Sequence, residues 1–303
     1  MPVRARVHSS PRETARVGAM SAAPSPAEPS GAPPTDDGER FARLLPPGPA
    51  ASAGEIVAAF ALAGRARASS HRERPYLILN MASTLDGRAS IEGRSGAIGN
   101  RADRELFHAL RADVDAVMAG AGTVRVERYG RIVGAESVRR ARVQRGLSAE
   151  PLACIVSGRL SLPLDTPLLC EPQAHVVIVT SSQSSLPDAA AHLEYVRAAR
   201  DGELDLALAM RELRQRFEVR TLLCEGGPHL NTQLLLAGLV DELFLSLAPK
   251  LAGGEDATGE ALRILAGAAF TAPLELELLG VLENDSHLFL RYAVGGAPER
   301  ASR

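Results

Sequence analysis

Tryptophan is absent from the 303-residue chain, and aromatic residues together make up 4% of it. So few rings argue against a platform on which single-stranded nucleic acid would stack. The formal net charge is −2, so no strong field of either sign draws nucleic acid or a membrane surface. No apolar run approaches the roughly 18 residues that a membrane span needs. The first residues carry Arg4, Arg6, Arg12 and Arg16 without an apolar segment, which argues against a secretory signal. The three cysteines, Cys154, Cys170 and Cys224, form no C-x-x-C pair, and two lie in apolar strand-like runs. They read as small buried hydrophobes of a reducing cytoplasm, with no metal centre expected. Lys250 is the sole lysine, so arginine is the general-purpose cation here and a lone arginine says little about function.

What is present is an alternation of two periods. Residues 1–40 are rich in Pro, Ala, Ser and Arg without periodicity and are expected to be disordered. Residues 41–73 read as a short helical extension and linker, with Ser52 and Glu55 as a capping box. The main domain is expected over 74–294, with a disordered tail at 295–303. Apolar strand patterns fall at 76–82, 115–120, 151–157, 174–180, 193–198 and 221–224, and again at 241–249, 274–283 and 287–294. Helical spacing falls at 102–114, 204–217 and 231–240. Buried strands alternating with helices predict an α/β fold with a mostly parallel central sheet and helices on both faces. The last two strands, separated only by Asn284-Asp285-Ser286, predict an antiparallel C-terminal hairpin.

In such sheets ligands bind outside the carboxyl ends of the strands. Four strand ends here carry unusual residues. One runs into "NMASTLDGR" with Asp86, another into "GAGTVRVERYG" with Thr123, a third into "SGR" (Ser157–Arg159), and a fourth into "CEGGP" (Cys224–Pro228). Each of the first three alone is an ordinary turn or cap. Two glycines between a buried strand and a helix are a more specific signal, because they let backbone N–H groups approach a phosphate.

The order and spacing of "RPYLILNMASTLDGRASIEGRSG", "LRADVDAVMAGAGTVR", "LLCEGGPHL" and "GLVDELFLSLAPKLAGG" resemble the pyrimidine reductases of riboflavin biosynthesis, over residues 74–294. That resemblance implies a three-layer fold like that of dihydrofolate reductase and a homodimer. The zinc deaminase that usually accompanies this domain is not expected, because neither the length before residue 74 nor the cysteine spacing supplies its His, Glu and C-x-x-C signature. The resemblance implies NADPH-dependent reduction of 5-amino-6-(5-phosphoribosylamino)uracil, with hydride delivered to C1′ of the sugar. By the same resemblance Gly226, Gly227, Pro228, Thr123, Ser157, Ala82, Ala97 and Glu127 hold the cofactor. Arg159 joins them on charge, facing a 2′-phosphate. Ser95, Arg111 and Glu225 hold the substrate, and Asn80 stands where many members carry lysine and a sub-branch carries Asn. Asp86 and Glu225 are the expected catalytic carboxylates, Asp86 as a proton source or as a group that orients substrate. Two other readings stay open: a dihydrofolate-type or other NADPH-dependent pterin or pyrimidine reductase, and a non-catalytic NADP-binding protein.

Overall fold

Successive side chains of a strand point to opposite faces, so a strand covered on both sides is apolar throughout. The strands of this chain follow that rule. A computed structural model describes residues 38–69, 73–254 and 262–296. In chain order the elements are β1 (Arg40–Leu45), β2 (Pro47–Ser52), α1 (Ala53–Phe60), α2 (Leu62–Ala68), β3 (Tyr76–Thr84), α3 (Arg101–Arg111), β4 (Ala116–Gly120), α4 (Ala121–Val126) and α5 (Glu136–Gln144). They continue with β5 (Leu152–Val156), β6 (His175–Thr180), β7 (His192–Arg197), β8 (Ala199–Arg200), β9 (Glu203–Leu204), α6 (Leu206–Arg216), β10 (Thr221–Cys224), α7 (Pro228–Leu236), β11 (Glu242–Ala248), β12 (Leu276–Asn284) and β13 (His287–Val294).

Apart from the small β8–β9 pair, the strands form one sheet in the order β2-β1-β12-β13-β11-β3-β10-β4-β5-β6-β7. Every neighbouring pair from β11 to β7 is parallel. The pairs from β11 through β13, β12 and β1 to β2 are antiparallel. The expected mostly parallel sheet with its C-terminal hairpin is therefore present. On one face Ile78, Val117, Ile155, Ile178 and Leu223 pack with Leu106 and Leu110 of α3 and Ile56 of α1. On the other, Leu77, Met118, Cys154, Val177 and Leu222 pack with Met210 and Leu213 of α6 and Leu230 and Leu234 of α7. Among the described residues no helix is long and apolar enough to cross a membrane.

The N-terminal part departs from expectation. Arg40, the last residue of the segment expected to be disordered, and residues 41–52 of the expected helical extension form the β1–β2 hairpin, and β1 pairs with β12. Phe41 is fully buried, its ring centroid 5.1 Å from that of Phe289. Pro46, Pro47 and Pro49 disguise these strands in the sequence. The structure places β2 at the outer edge of the sheet, where residues without an N–H are tolerated. The capping box forms as expected: the Ser52 hydroxyl accepts from the Glu55 N–H, and the Glu55 carboxylate accepts from the Ser52 N–H. The helix then breaks at Ala61, whose φ is +50°, giving α1 and α2 in place of one element. The segments expected to be disordered lie outside the described residues over 1–37 and 297–303, as do linker residues 70–72.

Helix α5 is arginine-rich and has no apolar stripe, yet it supplies the fully buried Arg142. Its guanidinium donates to the carbonyls of Arg111, Ala112 and Val114 at the C-terminal end of α3 and to that of Ser148 beyond α5. Burial lowers its pKa to about 10.

Candidate active site

Parallel neighbours β10 and β4 end beside the middle of β3, and the turns that follow them meet. After β10, the Glu225 N–H donates to the Met118 carbonyl, and the Gly120 N–H donates to the Gly226 carbonyl at 2.8 Å. The "GAG" and "EGG" turns are thus hydrogen-bonded edge to edge. Glycine is favoured at two of these points. Gly226 has φ +96°, a region that L side chains rarely adopt. A Cβ on Gly227 would lie 2.9 Å from the Thr123 hydroxyl, whereas one on Gly120 would meet the Gly227 nitrogen at an ordinary contact distance of 3.6 Å. Gly227 caps α7 and Pro228 opens it, leaving the first-turn N–H groups free of side-chain caps.

Two cavities open along these strand ends. The larger, about 800 Å³, is lined by Gly120, Gly122, Arg159, Gly226, Gly227 and Pro228, among others. The smaller, about 340 Å³, is lined by Asn80, Ala82, Asp103, Phe107, Arg111 and Tyr129. Met81, Ala89, Ser95, Thr123, Glu127 and Glu225 belong to both and form the shared wall. A third cavity of about 790 Å³ lies at the amino ends of the parallel strands. Its charges close on one another, Arg131 on Glu150 and Arg145 on Asp113, and strand polarity favours the carboxyl-end cleft.

The electrostatic centre of the smaller pocket is a buried pair. Arg111 Nε and Nη2 donate to the two oxygens of Glu225 at 2.7 Å each, and the Tyr129 hydroxyl donates to Glu225 Oε2 at 2.6 Å. The Arg111 guanidinium also lies over the Phe107 ring, 4.2 Å from its centroid. Burial opposes the charge on Arg111, but the adjacent carboxylate and its hydrogen bonds outweigh it and raise the pKa. Burial, then the charge of Glu225, pushes the Tyr129 phenol well above its ordinary value. The sequence reading sends Arg111 and Glu225 separately to the substrate; the structure joins them into one neutralised, bidentate unit. Similarly, Ser95 donates its N–H and hydroxyl to Glu127 Oε1, both at 2.9 Å, so an expected substrate residue holds an expected cofactor residue.

Three expected residues line neither cavity. Ala97 is exposed, and its carbonyl accepts from Lys250 Nζ at 2.8 Å. Ser157 is buried with its N–H on the Val179 carbonyl, while its neighbours Gly158 and Arg159 face the cleft. Asp86 accepts from the Thr84 hydroxyl and from the N–H groups of Ala252 and Gly253, tying the loop after β3 to the loop after β11. The Thr84 bond and then those backbone bonds lower its pKa to about 2, so it is ionised near neutrality and a poor proton source. Three wall residues escape the sequence reading. Met81 looks like strand core, Asp103 like an acid of a helix first turn, and Tyr129 carries no local signal. Away from the cleft, His175, His192 and Glu194 bring ligating atoms within 4.8 Å of one another at the exposed amino ends of β6 and β7.

Glycine turns at adjacent parallel strand ends, opening onto a pocket built around a buried ion pair, define a small-molecule site of the kind that open α/β sheets carry. The chain belongs to the RibD C-terminal domain family, whose sequence model matches residues 75–288. It is 31% identical over 230 residues to the 2,5-diamino-6-ribosylamino-4(3H)-pyrimidinone 5′-phosphate reductase of Methanothermobacter thermautotrophicus, covering 74% of this chain and 100% of the relative. The reductase of the same name from Archaeoglobus fulgidus is 32% identical over 185 residues, 60% of this chain and 84% of that one. The crystal structure of a pyrimidine reductase-like protein from Corynebacterium diphtheriae shares the fold, with a TM-score of 0.62 and 21% identity over 81% of this chain and 99% of that chain.

Proposed function

We propose that the protein is an NADPH-dependent reductase of a phosphoribosylamino-pyrimidine of riboflavin biosynthesis, working as a homodimer. One observation carries this reading: a glycine-built cleft and a charged pocket share a wall at the ends of β10 and β4, beside the middle of β3. Gly227, where a Cβ would press on the Thr123 hydroxyl, and Gly226, with its positive φ, fit a backbone cradle for a pyrophosphate beside α7. When bound, the nicotinamide supplies the hydride. The chain's residues bind and orient. Gly226, Gly227, Pro228 and Thr123 take the cofactor's phosphates, Arg159 its adenosine end, and Ala82 leaves room at the pocket floor. Arg111, fixed in place by Glu225 and Tyr129, presents its remaining donor edge to the substrate, with Asn80 and Ser95 beside it. Asn80 contributes hydrogen bonds where a lysine would contribute charge.

Two pyrimidines are candidates. The resemblance in the motifs implies 5-amino-6-(5-phosphoribosylamino)uracil. The two archaeal relatives are named for the 2,5-diamino compound, and this favours it as a second reading. The test is loss of reduced-nicotinamide absorbance with each pyrimidine and, in parallel, dihydrofolate. Turnover of either pyrimidine supports the proposal and ranks the two. Turnover of dihydrofolate alone moves the protein to the pterin reductases. NADPH binding without turnover of any of them makes it a non-catalytic nucleotide-binding protein. Arg159→Ala is expected to raise KM for NADPH more than KM for NADH, and equal effects would remove Arg159 from the 2′-phosphate site.

A further inference from the structure

Reduction of an imine needs a proton as well as a hydride, and the cleft must present a group able to give one. Asp86 lies outside it with an ionised carboxylate. Three carboxyls line the smaller pocket: Asp103, Glu127 and Glu225. Glu225 is occupied by two guanidinium bonds and the Tyr129 hydroxyl, and Glu127 by Ser95. Asp103 is different. Among the described residues no ion pair holds it, and the neutral Ser246 hydroxyl is the side-chain group set against it.

The backbone is built to admit this carboxyl. A Cβ on Gly99 would lie 2.1 Å from Asp103 Oδ2, so the carboxyl occupies space that any larger residue at 99 would take from it. Ser246 is in register with Ala82 on the neighbouring strand, and Ala82 lines the same pocket. The carboxyl therefore belongs to the pocket floor, next to the site proposed for the nicotinamide. The groups facing it are Ser246 from β11, His287 from β13, Lys250 after β11 and Arg104 from its own helix. Desolvation outweighs all of them and holds the carboxyl above its ordinary pKa.

We infer that Asp103 is the proton donor of the reduction, a role that rests on the reductase reading above. The proton leaves the Asp103 carboxyl for the nitrogen of the ring-opened imine while the nicotinamide hydride adds to C1′. The C=N double bond becomes a C–N single bond, the reduced nicotinamide is oxidised, and water returns a proton to Asp103.

The test uses the full chain and its Asp103→Asn and Asp103→Glu variants, with whichever pyrimidine the wild type reduces. Asn keeps the Ser246 contact and the helix start but has no acidic proton. Loss of about a hundredfold or more in kcat with KM within severalfold, and loss of the alkaline limb of the kcat–pH profile, are expected for Asn. Asp103→Glu should recover part of kcat. Gly99→Ala, which displaces the carboxyl without removing it, should lower kcat in the same direction. A readout independent of turnover is the melting temperature against pH. An Asp with a raised folded pKa stabilises below its unfolded value of about 4, and that contribution is lost as pH rises through the folded value. The gap between Asp103→Asn and wild type should therefore shift in favour of the variant as pH rises. Unchanged kcat and pH profile in Asp103→Asn, with the wild type active, overturn the inference alone. A wild type that reduces neither pyrimidine overturns the reductase reading and this role with it.

Discussion

Replacing Arg111 by Met isolates what the buried pair contributes. The Arg111 side chain is 11% exposed and that of Glu225 is 3% exposed, so solvent cannot take over when one partner is removed. Arg111→Met deletes two charge-assisted bonds and leaves Glu225 with Tyr129 as its remaining partner. Breaking a buried pair from one side costs about 3–5 kcal/mol, because an uncompensated charge stays buried. Removing both charges together costs far less, since two apolar side chains of similar volume replace a pair whose attraction was largely cancelled by its desolvation. Arg111→Met/Glu225→Met should thus be more stable than the worse single variant by about 2 kcal/mol or more, with a coupling energy at the high end of the range for residues in contact. For a domain of this size each kcal/mol moves Tm by about 2–4 °C, so the single variant should melt roughly 10 °C below wild type. The assay is urea unfolding of the four proteins in the cycle, with activity measured alongside. The double variant should regain stability but no turnover. Additive losses, or an Arg111→Met protein within about 1 kcal/mol of wild type, would refute the view of the pair as one unit.

Three further outcomes follow from the same geometry. Gly227→Ala places a methyl 2.9 Å from the Thr123 hydroxyl, so KM for NADPH should rise about tenfold or more while the fold is kept, as circular dichroism and steady-state kinetics would show. Arg142→Ala removes the buried donor to three carbonyls at the end of α3 and to that of Ser148 and should cost about 3–5 kcal/mol in denaturant unfolding. Asp86→Asn should leave the kcat–pH profile unmoved, because the wild-type carboxylate is ionised throughout the working range. Its folded pKa of about 2 lies below the ordinary 3.8, so its stabilising effect is present above about 4 and lost as pH falls towards 2, and the Tm gap to wild type should close over that interval.

Much of this was legible along the chain. Apolar runs located the parallel strands, and the Ser52–Glu55 box located a helix start to the residue. The glycines of "GAGT" and "CEGGP" announced a backbone cradle because glycine is costly at strand ends unless φ or a close approach demands it. The β1–β2 hairpin was hidden because its prolines oppose strand structure everywhere except at an edge, and an edge is a property of the assembled sheet. Arg142 looked like one more solvated arginine, since nothing local marks the carbonyls it would meet.

The site divides in the same way. The sequence by itself determined which stretches are strands, which turns need glycine, and which family the motifs resemble, because those depend on propensities and periods a few residues long. The tertiary structure decided the partners. Arg111 and Glu225 stand 114 residues apart, and Tyr129 and Glu225 stand 96 apart. Asp86 is taken out of the cleft by a loop 166 residues away, and Asp103 is admitted to it by Ser246 on β11 and the bare backbone of Gly99. Whether a carboxylate is neutralised, ionised or left able to carry a proton depends on burial and on what stands opposite it. Those are set only when distant strands come into register.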